Sequence, residues 1–214
     1  MAAPVIPPEP DAGGVRGLVD VMWRLRRECP WDAEQTHESL VTYLVEEAAE
    51  VIDAIETGTP DDLREELGDL LLQVVFHCEI EAQRGGFTLD EVADAISAKL
   101  VRRHPYVFGD ADVPDDLLGS WEARKRAEKR RTSALDGIPD SLATLARAHK
   151  VIGRSRHHGV EPAGVLEADD GDVGAQILAL VAQAQAAGID ADQATRQALR
   201  ALEARIRAGE GGAD

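Results

Sequence analysis

Aromatic residues are scarce in this sequence, at 4% of its 214 residues. The apolar share is still 44%, carried largely by Ala and Leu, which is enough for a core and suits packed helices better than sheets. Cysteine is nearly absent. Cys29 and Cys78 are the only two, too few for a disulfide framework. Cys78 lies in a helical apolar pattern and reads as a small core residue rather than a nucleophile. Positive charge is also short: 23 Lys and Arg stand against 40 Asp and Glu, a formal net charge of −17. Nucleic acid and anionic membranes need a basic surface, so both are excluded as partners. A small polyanion such as a nucleotide is compatible with this charge if a metal and local basic residues offset the field. No signal peptide and no apolar run of membrane length is present, so a soluble, cytoplasmic protein is expected.

What the chain does have is a paired set of acids. Glu46-Glu47-Ala48-Ala49-Glu50 is followed, past Thr57-Gly58-Thr59-Pro60, by Glu66-Leu67-Gly68-Asp69. Apolar residues recur at helical spacing on both sides: Leu40, Leu44, Val51 and Ile55, then Leu63, Leu67, Leu70, Leu71, Val74 and Val75. Glu47 and Glu66 interrupt these stripes, where a lone carboxylate is costly to bury. Glu50 and Asp69 follow them at i+3, on the same helix faces. The break at Thr57–Pro60 predicts an antiparallel helical hairpin that gathers four carboxylates. Such a cluster repels itself unless neutralised. A hard divalent cation does this best, so Glu47, Glu50, Glu66 and Asp69 are the expected ligands of Mg²⁺, with Mn²⁺ as the other candidate. The competing reading is a solvated acidic helix face.

Taken in order, residues 1–14 are Pro-rich and expected to form a disordered tail. A first helix is predicted over 15–28, with Leu18, Val21, Met22 and Leu25 on one face. Cys29-Pro30-Trp31-Asp32 reads as a turn, because Pro30 pushes Cys29 out of helical geometry. Asp32 or Thr36 is placed to cap the next helix, which runs to about Glu56. The third helix starts after Pro60, with Asp61 and Asp62 at its positive end, and stops at Gly85-Gly86. Thr88 and Glu91 predict a capping box for the fourth, which ends near Arg103. Lys99, Arg102 and Arg103 suit the negative end of that helix. Trp31 either plugs the helix junction or borders a pocket.

These motifs together resemble the MazG family of nucleoside triphosphate pyrophosphohydrolases. Cys29-Pro30-Trp31-Asp32 with Gln35-Thr36-His37 is similar to the family's opening. The two acidic motifs follow, then Lys99-Leu100-Val101-Arg102-Arg103-His104-Pro105 and Tyr106-Val107-Phe108. The likeness runs from about residue 16 to 150. It implies an all-α, MazG-like helical bundle completed by dimerisation, with nucleoside triphosphates as substrates. It also implies that Lys99 and Arg103, with Arg102 beside them, meet substrate phosphates. Relatives place a W-x-x-x-K segment near the nucleotide, which here is Trp121 and Lys125. The alternative for that segment is a solvated helix with one buried Trp.

The catalytic domain is expected over 15–131. Residues 132–208 read as a degenerate second copy, followed by a disordered tail at 209–214. Within the copy, Asp172 to Leu178 echoes Glu66 to Leu72 and Ala201 to Arg205 echoes Lys99 to Arg103. Ala175 and Ala201 replace the aspartate and the lysine, so this copy lacks the means to hold a metal.

The implied reaction is Mg²⁺-dependent cleavage of an NTP or dNTP to the monophosphate and pyrophosphate, as nucleotide-pool house-cleaning. Glu46 either orients the attacking water or faces solvent. Two alternatives stand beside it. A di-iron bundle would need Glu-x-x-His pairs, and neither acidic pair contains histidine. His37, His77 and His104 look scattered. A non-catalytic nucleotide-binding or interaction module that keeps an ancestral metal site is the other.

Overall fold

The computed structural model of the protein describes residues 13–129, 132–160 and 171–211. The described residues form helices and no strand, and none of their helices is long and apolar enough to cross a membrane. The chain divides into two compact units, Met1–Ala111 and Asp112–Asp214.

The first unit contains α1 (Gly14–Glu28), α2 (Pro30–Glu34), α3 (Val41–Thr57), α4 (Pro60–Gln83), α5 (Leu89–Arg103) and the short α6 (Pro105–Phe108). Its centre is the antiparallel α3–α4 hairpin. Gly58 closes the end of α3: a Cβ there would lie 2.8 Å from Ala54 Cα in the helix's last turn, so a side chain would displace the start of the connection. Thr59 then starts α4 with a capping box. Its hydroxyl accepts from the Asp62 N–H, and its own N–H donates to the Asp62 carboxylate at 2.8 Å. Thr88 and Glu91 make the same box at α5, as predicted. Between these helices Gly85 sits at φ 74, a conformation that costs other residues strain.

The apolar core joins Met22 of α1, Leu40, and Val75, Phe76 and Ile80 of α4, with Leu18, Val19, Leu72 and Leu89 around them. Val21 and Leu25, expected on the core face of α1, are exposed instead. A stripe of charge runs beside the core. Arg27 donates to Glu79 at 2.8 Å and lies over the Trp23 ring. Cys78 is buried, and burial raises its thiol pKa, which suits the packing role.

Two local expectations are corrected. Cys29–Asp32 is not a plain turn: Pro30 occupies the first position of α2, where its missing N–H costs nothing. Arg26 holds the end of that helix by donating to the carbonyls of Asp32, Ala33 and Gln35. Neither Asp32 nor Thr36 caps the following helix. Thr36 and Ser39 bond each other across a turn, and α3 begins after Leu40 with no side-chain cap.

The second unit contains α7 (Leu117–Lys129), α8 (Thr144–His157), α9 (Val173–Ala186) and α10 (Ala191–Glu210). Ile152, Val181 and Ala182 form its small core. Arg156 donates to the Gln185 side chain at 2.9 Å, whose amide in turn donates to the His149 carbonyl at 2.6 Å. Gly14 opens α1 and α10 continues to Glu210; the rest of the tails expected at 1–14 and 209–214 lies largely outside the described residues, which omit 1–12 and 212–214.

Candidate active site

The α3–α4 hairpin brings together acids that are about twenty residues apart in sequence. One carboxylate oxygen each from Glu47, Glu66 and Asp69 lies within 4.8 Å of the others. The three side chains are half-buried. The arrangement follows from helix geometry. Val51 and Ala54 of α3 are buried, and Glu47 sits one turn before Val51. Glu66 and Asp69 share one face of α4.

The electrostatics of the cluster reflect this crowding. The Glu47 carboxyl is pushed above the usual carboxylate range, first by partial burial, then by the charges of Asp69 and Glu50. Glu66 is raised for the same reasons, with Glu50 and Asp69 as its main neighbours. Glu50 is exposed and stands outside the tight trio, yet it acts on both residues. Glu46 is exposed on α3, as expected for a residue about 100° around the helix from Glu47.

Three carboxylates that converge and strain one another's ionisation fit a hard divalent cation. Oxygen ligands are the preferred donors of such an ion, and its charge removes the repulsion. Among the described residues no histidine joins the trio.

The remaining candidates fall in several places. Lys99, Arg102 and Arg103 close α5, and of these Arg103 is buried, Lys99 half-buried and Arg102 exposed. Trp121 and Lys125 stand on α7, in the second unit. Trp31 is not a plug. It is 51% exposed and meets Tyr43 and Phe76 edge-on, with ring centroids 5.9 and 6.5 Å away.

The structure also brings together residues that looked scattered. His37 and His77 stack, and the other ring nitrogen of His37 lies 2.7 Å from Glu81. Gln73 is buried on α4 one turn past Asp69. Its signal was present in the sequence, a polar residue inside the run Leu70-Leu71-Leu72-Gln73-Val74-Val75.

The family model described as the MazG nucleotide pyrophosphohydrolase domain matches residues 35–108, which span the hairpin, its acids and α5. The chain belongs to the MazG family. An uncharacterized 26.1 kDa protein of Streptomyces cacaoi is 44% identical over 215 residues, covering 97% of this chain and 88% of that protein. A protein of Mycobacterium tuberculosis named nucleoside triphosphate pyrophosphohydrolase is 46% identical over 157 residues, or 71% of this chain and 48% of its own length. The Escherichia coli K12 protein of the same name is 46% identical over 152 residues, covering 67% of this chain and 58% of its own. This MazG chain therefore spans about half to three fifths of those two named relatives.

Proposed function

We propose that this MazG chain is a Mg²⁺-dependent nucleoside triphosphate pyrophosphohydrolase that converts NTPs or dNTPs to monophosphates and pyrophosphate. The observation that carries the reading is the convergence of Glu47, Glu66 and Asp69 on one point between α3 and α4. The names of the relatives support the substrate class. Glu47, Glu66 and Asp69 would hold the metal, with Glu50 beside them. When bound, Mg²⁺ supplies charge that offsets the negative charge developing on the triphosphate.

The protein's own groups do the rest. A carboxylate of the cluster orients a water in line with the α-phosphorus and takes its proton. The new bond forms from water oxygen to phosphorus, and the bond to the bridging oxygen breaks, so pyrophosphate departs. Exposed Glu46 is the outer candidate for orienting that water. Lys99, Arg102 and Arg103 would meet phosphate oxygens, Arg by paired hydrogen bonds and Lys as a point charge. Trp31, half-exposed beside Tyr43, offers an aromatic edge to the nucleoside. House-cleaning of the nucleotide pool is the role this chemistry serves.

A second copy of the chain completes the bundle in this reading. Val41, Val45, Ile52 and Ile55 make one exposed apolar stripe along α3, and Leu67, Leu71 and Val74 make another along α4. Such rows on one hairpin suit a two-fold helix–helix interface.

The second unit is read as a remnant copy. Gly188 sits at φ 71 after α9 as Gly85 does after α4. The N–H of Ile189 reaches back to Ala184 as that of Gly86 does to Glu81. Asp190 caps α10 as Thr88 caps α5. Asp172, in the place of Glu66, is used to cap α9, and Ala175 stands where Asp69 does.

The test is product analysis with a panel of NTPs and dNTPs, with Mg²⁺ and then with EDTA, beside Glu47→Ala and Asp69→Ala. Monophosphate and pyrophosphate from the wild type alone is the expected result. Diphosphate with orthophosphate would overturn the bond assignment. A folded, Mg²⁺-binding protein with no turnover would identify the alternative, a non-catalytic nucleotide-binding module.

A further inference from the structure

Gln73 is 5% exposed, and its side-chain carbonyl oxygen is wholly buried with no hydrogen-bond partner. Sealing an amide oxygen away from water without a donor is a standing cost, and such groups are rare in folded proteins. A Leu or Met would fill the same volume without that cost. The position of Gln73 says what could supply the donor. It lies seven residues past Glu66 and four past Asp69, so it shares the α4 face that carries the metal-binding acids. Along the helix axis it stands about 6 Å beyond Asp69.

The next turn of the same helix is aromatic. Phe76 meets Trp31, and Trp31 meets Tyr43 from α3. Trp31 and Tyr43 are both exposed at this end of the hairpin. From the acids toward the C-terminal end of α4, the order is carboxylates, a buried amide, then aromatic edges. A nucleotide presents its groups in the matching order: phosphate, sugar hydroxyls, base.

We propose that Gln73 is a specificity-determining residue whose buried carbonyl oxygen accepts a hydrogen bond from a hydroxyl of the substrate sugar. The assignment rests on the nucleotide-hydrolysis reading above. The sugar is favoured over the base because one helical turn from the acids reaches the group next to the α-phosphate, whereas the base edge lies further out. Rotation of the Gln73 side chain brings the oxygen to the sugar, whose hydroxyl supplies the missing donor.

The experiment compares the wild type with Gln73→Met on three triphosphates of one base: the ribonucleotide, the 2′-deoxynucleotide and the 2′,3′-dideoxynucleotide. Each is assayed for kcat and KM, and the thermal midpoint is recorded for both proteins. In the wild type, kcat/KM is expected to fall about tenfold or more when the contacted hydroxyl is removed. In Gln73→Met the hydroxylated substrates fall to the level of the dideoxy form, which itself changes little. The midpoint of the variant stays the same or rises, because the orphaned carbonyl is gone. Should methionine not be accommodated, Gln73→Asn gives the same comparison, since it keeps the amide but withdraws it by one methylene. A variant that keeps the wild-type ratios, or lowers all three substrates equally, overturns the assignment while leaving the hydrolase intact. A wild type inert toward all three nucleotides would instead overturn the hydrolase reading, and this assignment with it.

Discussion

The imidazoles of His37 and His77 stack with planes 10° apart, and their Nδ1 atoms approach to 2.7 Å. At that distance the pair holds one proton between the two nitrogens, one ring donating and the other accepting. Nε2 of His37 faces Glu81 at 2.7 Å, and Arg84 approaches the same carboxylate. The pKa of His77 is lowered, first by burial and then by the charge of His37.

A histidine with a lowered folded pKa binds fewer protons folded than unfolded, so stability rises with pH across that window. The stabilisation is complete above the unfolded value of about 6.5 and is lost as pH falls toward the folded value. The thermal midpoint of the wild type should therefore drop between pH 7 and pH 5.5. His77→Phe should flatten that slope. An equal slope in the variant would place the acid sensitivity elsewhere.

Glu47 and Glu66 carry the opposite sign. Their raised pKa values mean that the metal-free fold is more stable when they are protonated, and that this advantage is lost as pH rises through the folded values. Glu47→Gln should raise the thermal midpoint in EDTA at neutral pH and still lower hydrolysis about 100-fold or more. A midpoint that falls instead would mean that Glu47 has a packing partner rather than a repulsive one.

Mg²⁺ should reverse that balance in the wild type. A ligand at 100 times its Kd stabilises a fold by about 2.7 kcal/mol, which for a chain of this length is several degrees. Asp69→Asn should lose the Mg²⁺-dependent shift. Calorimetry with and without the ion checks this directly.

The basic end of α5 separates packing from substrate contact. Arg103 is 5% exposed and Lys99 is half-buried. Arg103→Ala should lower the thermal midpoint as well as activity, because it removes a buried charged side chain from its surroundings. Lys99→Ala should raise KM about tenfold while leaving the midpoint unchanged, the pattern of a lost phosphate contact. Equal effects of the two variants on stability would assign both residues to the fold.

The exposed stripes predict the oligomer. Leu71→Glu should convert a dimer into a monomer in light scattering and reduce hydrolysis with it. A wild type that is monomeric at assay concentration would remove the two-fold interface from the proposed function.

Much of this architecture was written in local patterns. Thr88 and Glu91 announce a capping box because both partners lie within four residues. The acids announced themselves by interrupting apolar stripes, and the hairpin that unites them is set by Gly58 and Pro60. Gln73 interrupts an apolar run in the same way. A neutral amide draws less notice than a charge, and only its burial without a partner shows that it matters.

Other features depend on where the helices lie. Arg26 turns the Cys29–Asp32 segment into a helix by gathering three carbonyls, a contact that no propensity encodes. The openness of Trp31 depends on how Tyr43 and Phe76 lie beneath it. The His37–His77 pair spans 40 residues of sequence and exists only because α4 passes the turn before α3. The sequence by itself determined the long helices, the Thr88–Glu91 capping box and the four acids, since periodicity, capping and charge act over a few residues. Only the tertiary structure decided which acids converge, which tryptophan is open and which polar groups are sealed without a partner, because those depend on distances between segments that the chain joins only by folding.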